Sequence, residues 1–235
     1  MESNYRVLDI ETTAGVVPPG FGPRLPFKED IKPPKNYKDP EKIAAYIAEK
    51  EASYEADCEA ETKKFYSRLG LRAETAEVYA IGMMDPRGNP WIAFADTGER
   101  DLLKKWVEAM LEFPACVLVG HNIKSFDLPM LVRRCIILNV TLPEWILQQY
   151  RSGKYARMVI DTMEDWCDWN QRVSLDNLCG LFGLEKKPMP KSSRSNPIKE
   201  GIENYKSWGR ALQHEYLHHD ITVTRQVAQR MQLIK

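Results

Sequence analysis

The sequence predicts an α/β protein on a mixed sheet. Three observations lead there. A short apolar strand opens the chain at residues 5–10. Two further apolar runs, 76–84 and 90–95, flank the turn Asp85-Pro86-Arg87-Gly88-Asn89 and read as an antiparallel hairpin. From residue 99 onward, segments with helical and strand-like spacing alternate, the pattern of strands joined by helices. A length of 235 residues suits one domain, 1–235, with an ample core.

Taken in order, the first strand ends in Val7-Leu8-Asp9-Ile10-Glu11-Thr12, and residues 14–40 are rich in Pro, Gly and Lys and read as irregular loop. Asp39-Pro40-Glu41 then opens a helix, with Asp39 as N-cap and Pro40 at the first helical position. Its stripe is Ile43, Ile47, Tyr54, Cys58, Phe65 and Leu69, and it ends near Gly70. The region from about 14 to 73 is thus a helical insertion after the first strand, its Glu- and Lys-rich faces a solvated surface. After the hairpin, 99–112 is a helix with Leu102, Leu103, Trp106 and Met110 inward. Residues 115–119 form a buried strand and 126–138 a helix. Residues 157–160 form a last strand, with Asp161 capping a following helix. Ser174 to Phe182 is a short helix stopped by Gly183, 185–201 a basic loop, and 203–233 mainly helix.

Composition bounds the function. Thirty-three basic and 33 acidic residues give zero formal charge, which argues against a basic nucleic-acid coat protein. A nuclease stays open, because an acidic metal site offsets basic patches elsewhere. Cys58, Cys116, Cys135, Cys167 and Cys179 form no C-x-x-C pair, so reduced core thiols in a cytosolic protein are expected, without zinc. No run reaches membrane-span length. Strand-forming residues begin at once, leaving no room for a cleaved signal peptide.

Asp9 and Glu11 carry the most information. Positions i and i+2 of a strand point to one face, so two carboxylates project together from an otherwise apolar strand. Like charges side by side are costly unless a cation lies between them, and a divalent ion with hard oxygen ligands is the natural candidate. The pair also reads as a strand end entering a solvated acidic turn. A second segment is His121-Asn122-Ile123-Lys124-Ser125-Phe126-Asp127, followed by helical spacing at Leu128, Leu131, Val132 and Cys135. Asp127 also reads as a helix N-cap or first-turn acid. A third is Glu215-Tyr216-Leu217-His218-His219-Asp220, where Tyr216 and Asp220 stand at i, i+4 on one helix face. These two equally form a partly buried Tyr–Asp hydrogen bond.

The order D-x-E, N-x-x-x-F-D, Y-x-x-x-D resembles the DEDD superfamily of 3′–5′ exonucleases in its tyrosine branch. The likeness is to the proofreading exonuclease of family B DNA polymerases and to stand-alone phage and bacterial proteins similar to it. Residues 35–43 look like the insertion of the phage proteins. The resemblance implies the RNase H-like fold, a central mixed sheet flanked by helices. It also implies two divalent cations, Mg²⁺ or Mn²⁺, held by Asp9, Glu11, Asp127 and Asp220, with Asp9 bridging both. Such a pair clamps both oxygens of an in-line displacement.

Tyr216 is expected to orient the attacking water. A free tyrosine titrates near about 10, making it a better positioner than base. The sister branch carries His where this chain has Glu215, and His214, His218 and His219 stand at other spacings. Thr12, Asn122 and Phe126 are the expected contacts to nucleotide, Phe126 by stacking on a base. Each also has an ordinary structural reading. Lys186, Lys187, Lys191, Arg194 and Lys199 form the richest basic segment, a phosphate-contacting flap or a merely solvated loop.

The implied activity is a 3′–5′ exodeoxyribonuclease of single-stranded or frayed DNA ends in the cytoplasm of a bacterial or phage-infected cell. It releases nucleoside 5′-monophosphates, with any proofreading delivered in trans to a replication or recombination protein. Two other readings stand beside it. One is an exoribonuclease of the same chemistry, since discrimination at the 2′-OH is not legible. The other is a non-catalytic nucleic-acid-binding module, against which all four carboxylates are present.

Overall fold

The computed structural model describes residues 4–26, 31–112, 116–168, 170–185 and 205–235. The chain divides into two compact units, one of residues 1–15 with 70–235 and the other of 16–69.

The larger unit is built on five strands: β1 (Tyr5–Ala14), β2 (Ala76–Met84), β3 (Pro90–Phe94), β4 (Val117–Gly120) and β5 (Val159–Asp161). Their order is β3-β2-β1-β4-β5. β1 lies between antiparallel β2 and parallel β4, and β5 extends the parallel half. The helices are α2 (Glu99–Leu111), α3 (Asp127–Ile137), α4 (Glu144–Ser152), α5 (Leu175–Phe182) and α6 (Arg210–Arg230). The hairpin falls where its turn residues place it, and Gly88 takes a positive φ of 89° there. Ser174 caps α5 by accepting from the Asn177 amide, and Gly183 ends it in the left-handed conformation.

Period-two alternation in β1 sorts the core. Leu8 and Ile10 join the main cluster with Ile81, Met83, Leu102, Leu103, Trp106, Leu118 and Leu131. Tyr5 and Val7 point the other way, packing with Met84, Val119, Ile221 and Ala228. Asp9 and Glu11 share that second face, the one covered by α6. A buried ion pair, Arg134 Nη2 to Glu99 Oε2 at 2.5 Å, ties α3 to the start of α2. Glu99 also accepts from the Val78 amide, and Arg134 donates to the Ala73 carbonyl.

Four expectations change. β1 does not stop at Ile10 but runs to Ala14, because Thr12, Thr13 and Ala14 keep pairing with β2. α4 was not expected; Pro143 precedes it, and Ile146 is its one buried residue. After β5 the chain makes turns instead of the expected helix, and Asp161 serves another purpose. The last helix begins at Arg210, after turns at 206–207.

The smaller unit contains α1 (Pro40–Tyr66), capped as expected: the Asp39 carboxylate accepts from the Glu41 amide at 3.0 Å. None of its residues is fully buried, and the stripe Ile43, Ile47, Tyr54, Cys58 and Phe65 is half-buried. Tyr54 donates to the Pro26 carbonyl and Tyr37 packs edge-on against Tyr46, so irregular chain lines part of the stripe. All five cysteines are free thiols. Among the described residues no helix is long and apolar enough to cross a membrane.

Candidate active site

The site forms at the carboxyl ends of three parallel strands, where an open α/β sheet leaves room for a ligand. β1 supplies Asp9 and Glu11, the chain leaving β4 supplies Asn122 and Asp127, and β5 ends on Asp161. α6 lies across the face of β1 and adds Tyr216 and Asp220.

Small residues let that helix come close. Asp9 is paired with Gly82 and Glu11 with Ala80 across the β1–β2 ladder. A Cβ built on Gly82 would stand 2.8 Å from Leu217 Cγ and 3.2 Å from Ile221 Cγ2. The helix therefore rests on bare backbone beside Asp9, which brings Asp220 down to the strand. A register shift between Glu11 and Thr12 leaves Tyr79 as the extra residue on β2.

Ligand oxygens of Asp9, Glu11 and Asp220 all lie within 4.8 Å of one another. Asp9 and Glu11 are half-buried and Asp220 is 2 % exposed. Three carboxylates this close repel strongly, and a hard divalent cation fits both the charge and the all-oxygen donor set.

Asp127 reaches the same strand differently. It is the first residue of α3, not its N-cap, and its Oδ1 accepts from the Ile10 amide at 3.2 Å, between Asp9 and Glu11 in sequence. It is 3 % exposed. Burial, chiefly, with the nearby Asp161 and Asp220 carboxylates, pushes its carboxyl up to about 7, against the lowering effect of the Ile10 amide and its own.

Tyr216 sits in an aromatic cradle, with ring centroids 5.9 Å from Tyr205 and 5.4 Å from Trp208. Tyr205 is buried, and its hydroxyl donates to the Gln213 carbonyl at 2.9 Å. Gln213 Nε2 returns a bond to the Tyr205 carbonyl. Burial raises the Tyr205 phenol well above its usual range, and the charges of Glu11 and Asp9 add to this. Tyr205 and Trp208 had no signal in the sequence beyond lying just ahead of the Tyr216 helix.

The other expected residues are placed as follows. Asn122 is half-buried with a left-handed φ of 64°, a conformation asparagine tolerates. Phe126 is half-buried against the main core. Thr12 is 4 % exposed, and its hydroxyl donates to the Gly70 carbonyl at 2.7 Å. His214 and His218 stack in parallel along α6, 6.3 Å apart. Lys186, Lys187, Lys191, Arg194 and Lys199 lie outside the described residues.

Residues 92–179, which include Asn122, Asp127 and Asp161, match the family model of the DNA polymerase family B exonuclease domain. The structure is similar to the family B DNA polymerase of the hyperthermophilic archaeon Pyrobaculum calidifontis, with a TM-score of 0.56 and 18 % identity. The match covers 98 % of this chain and 24 % of that polymerase, so the chain spans about a quarter of its length. No curated protein sequence matches the chain. The chain resembles the DEDD-type exonuclease domains of these polymerases, on an α/β, RNase H-like fold.

Proposed function

We propose that this chain is a metal-dependent 3′–5′ exonuclease that hydrolyses the terminal phosphodiester bond of DNA and releases nucleoside 5′-monophosphates. The observation that carries the reading is the convergence of Asp9 and Glu11 from β1 with Asp220 from α6, beside Asp127 bonded to the Ile10 amide. Such convergence from distant segments is costly without a ligand. The family match around Asp127 supports the same reading.

Two divalent cations, Mg²⁺ or Mn²⁺, supply nucleophile activation and stabilisation of the leaving 3′ oxygen when bound. Asp9, Glu11 and Asp220, with Asp127 beside them, would hold these ions. Tyr216 aims its hydroxyl at the attacking water, its ring fixed by Tyr205 and Trp208. Asn122 contacts the terminal nucleotide and Phe126 stacks on its base, a contact worth about 1–3 kcal/mol. Thr12 holds the end of β1 through its bond to Gly70, and so the backbone beside that nucleotide. The basic residues Lys186, Lys187, Lys191 and Arg194 follow the phosphates of a single strand.

The test is digestion of end-labelled single-stranded DNA, duplex DNA and RNA, each with Mg²⁺, Mn²⁺ or chelator. The expected result is stepwise shortening from the 3′ end of single-stranded DNA, abolished by chelator, with mononucleotide product. Metal-dependent loss of RNA alone would move the substrate to RNA. No metal-dependent shortening of any strand would leave a binding module.

A further inference from the structure

We propose that Asp161 is a positioning residue of this site: its carboxylate clamps the 121–126 loop in the shape that presents Asn122 and Asp127. The inference rests on the exonuclease reading above and adds to it a residue outside the D-x-E, N-x-x-x-F-D and Y-x-x-x-D pattern.

Asp161 ends β5 and pairs in register with Gly120, the last residue of β4. It is 1 % exposed. Its Oδ1 accepts from the Asn122 amide at 2.8 Å and from its own turn at Met163 and Glu164, at 3.1 and 3.3 Å. Its Oδ2 accepts from the Lys124 amide at 3.0 Å. A carboxylate that merely capped the turn after β5 would need only the Met163 and Glu164 amides. Here both oxygens also reach across to the neighbouring strand's loop. A buried acid that accepts four N–H groups, two of them from the 121–126 loop, acts through that loop.

The loop needs the clamp. Asn122 stands at φ 64°. The turn is tight: a Cβ on Gly120 would stand 2.6 Å from Ile123 Cβ. From there the chain passes directly into α3, with Phe126 donating to the Asn122 carbonyl and Leu128 to that of Ile123. The two amides fixed by Asp161 therefore set the angle at which Asp127 enters the site. Other bonds join the same two segments: Thr162 N to the Gly120 carbonyl at 2.9 Å, His121 Nδ1 to Thr162 Oγ1 at 3.0 Å, and Lys124 Nζ to Glu164 at 2.6 Å. The Asn122 and Lys124 amides are held by Asp161 itself.

An asparagine at 161 has one acceptor oxygen. Whichever way its amide turns, an NH₂ faces a backbone N–H that the carboxylate had satisfied. D161N of the full chain should remain folded by circular dichroism. Its kcat on single-stranded DNA should fall about 10- to 100-fold, as expected for a group that orients the ligands themselves, while KM changes far less. Amide hydrogen exchange should accelerate at Asn122 and Lys124 and stay unchanged along α6. D161E, which keeps both acceptor oxygens, should recover part of the loss. Wild-type kcat in D161N, or equal loop protection in the two proteins, overturns the proposal. Should D161N fail to fold, exchange in the wild type decides. Strong protection at Asn122 and Lys124 supports the clamp, and free-chain rates there overturn it. An inactive wild type defeats the exonuclease reading instead, and the exchange measurement still reports on the clamp.

Discussion

Replacing Asp127 by asparagine should stabilise the metal-free protein, and the size of the gain follows from the site. The Asp127 carboxyl is raised from 3.8 to about 7 by burial and by the neighbouring Asp161 and Asp220. Below about pH 4 the carboxyl is protonated in folded and unfolded chains alike, and nothing is lost. As the pH climbs from about 4 to about 7, the unfolded chain ionises first and stability falls; above about 7 the loss is complete. At ~1.4 kcal/mol for each pH interval of one between those two values, the penalty amounts to about 4 kcal/mol. Asparagine keeps an oxygen for the Ile10 amide and carries no charge at any pH. In chelator at about pH 7.5, Asp127→Asn should therefore melt higher than wild type by about 8–16 °C, at the ~2–4 °C per kcal/mol usual for chains of this size. Near about pH 4 the two should melt within a few degrees of each other. Mg²⁺ or Mn²⁺ should raise the wild type and leave the variant nearly unmoved. Thermal melts of both proteins across about pH 4–8, with and without metal, provide the check. Equal melting temperatures in chelator above neutral pH, or a difference that ignores pH, would refute the reasoning.

Asp9→Ala should lower turnover by orders of magnitude while circular dichroism stays native, since it removes a charge that Glu11 and Asp220 repel; near-normal activity in Mg²⁺ would take Asp9 out of the site. Tyr216→Phe keeps the ring against Tyr205 and Trp208 and removes only the hydroxyl, so kcat should drop with metal and DNA affinity unchanged; full activity would leave the tyrosine with a packing role. Gly82→Ala forces a methyl group into Leu217 and should cost about 1–3 kcal/mol, with a loss of activity as Asp220 lifts from the strand, measured by denaturation and nuclease assay together. Alanine at Lys186, Lys187, Lys191 and Arg194 should flatten the salt dependence of single-stranded DNA binding, by about 0.7 in slope for each phosphate no longer neutralised, while turnover at saturation holds; an unchanged slope would place the DNA track elsewhere.

Much of this architecture was legible in the sequence because local rules and packing agree. Asp39-Pro40, the Asp85–Asn89 turn, and the Ser174 to Gly183 span each carry their own start or stop chemistry, and each element lies where that chemistry puts it. The shared faces of Asp9 with Glu11 and of Tyr216 with Asp220 were legible through spacing, i, i+2 on β1 and i, i+4 on α6, whereas the grouping with Asp127 came from the family resemblance. What escaped depends on neighbours far away in the chain. The extension of β1 to Ala14 is dictated by β2, with which Thr12 and Thr13 pair. α4 is nine residues long, too short for Trp145, Ile146, Leu147 and Tyr150 to show a sustained helical period. Asp161 looked like the cap of a following helix, because the amides of Asn122 and Lys124 come beside it only when β4 and β5 align. Tyr205 gave no hint of its surroundings, since the burial that chiefly raises its phenol is made against Ala80 and Tyr79 of β2, far away in the chain.

The placement of Asp9 on the first strand and Asp220 on the last helix has a consequence for the life of the chain while it is being made. A ribosome makes β1 before the rest of the sheet, and α6 after every other element that surrounds the site. Until α6 docks on Gly82 and Ala80, no cation can find the third carboxylate, however well the sheet has formed. Pairings of such long sequence separation are also the slowest to close in folding. A nascent or truncated chain lacking α6 should therefore be inert toward nucleic acid, and nuclease activity should appear only as that helix settles. On the proposed exonuclease reading, chain order alone sets the moment at which the three carboxylates come together.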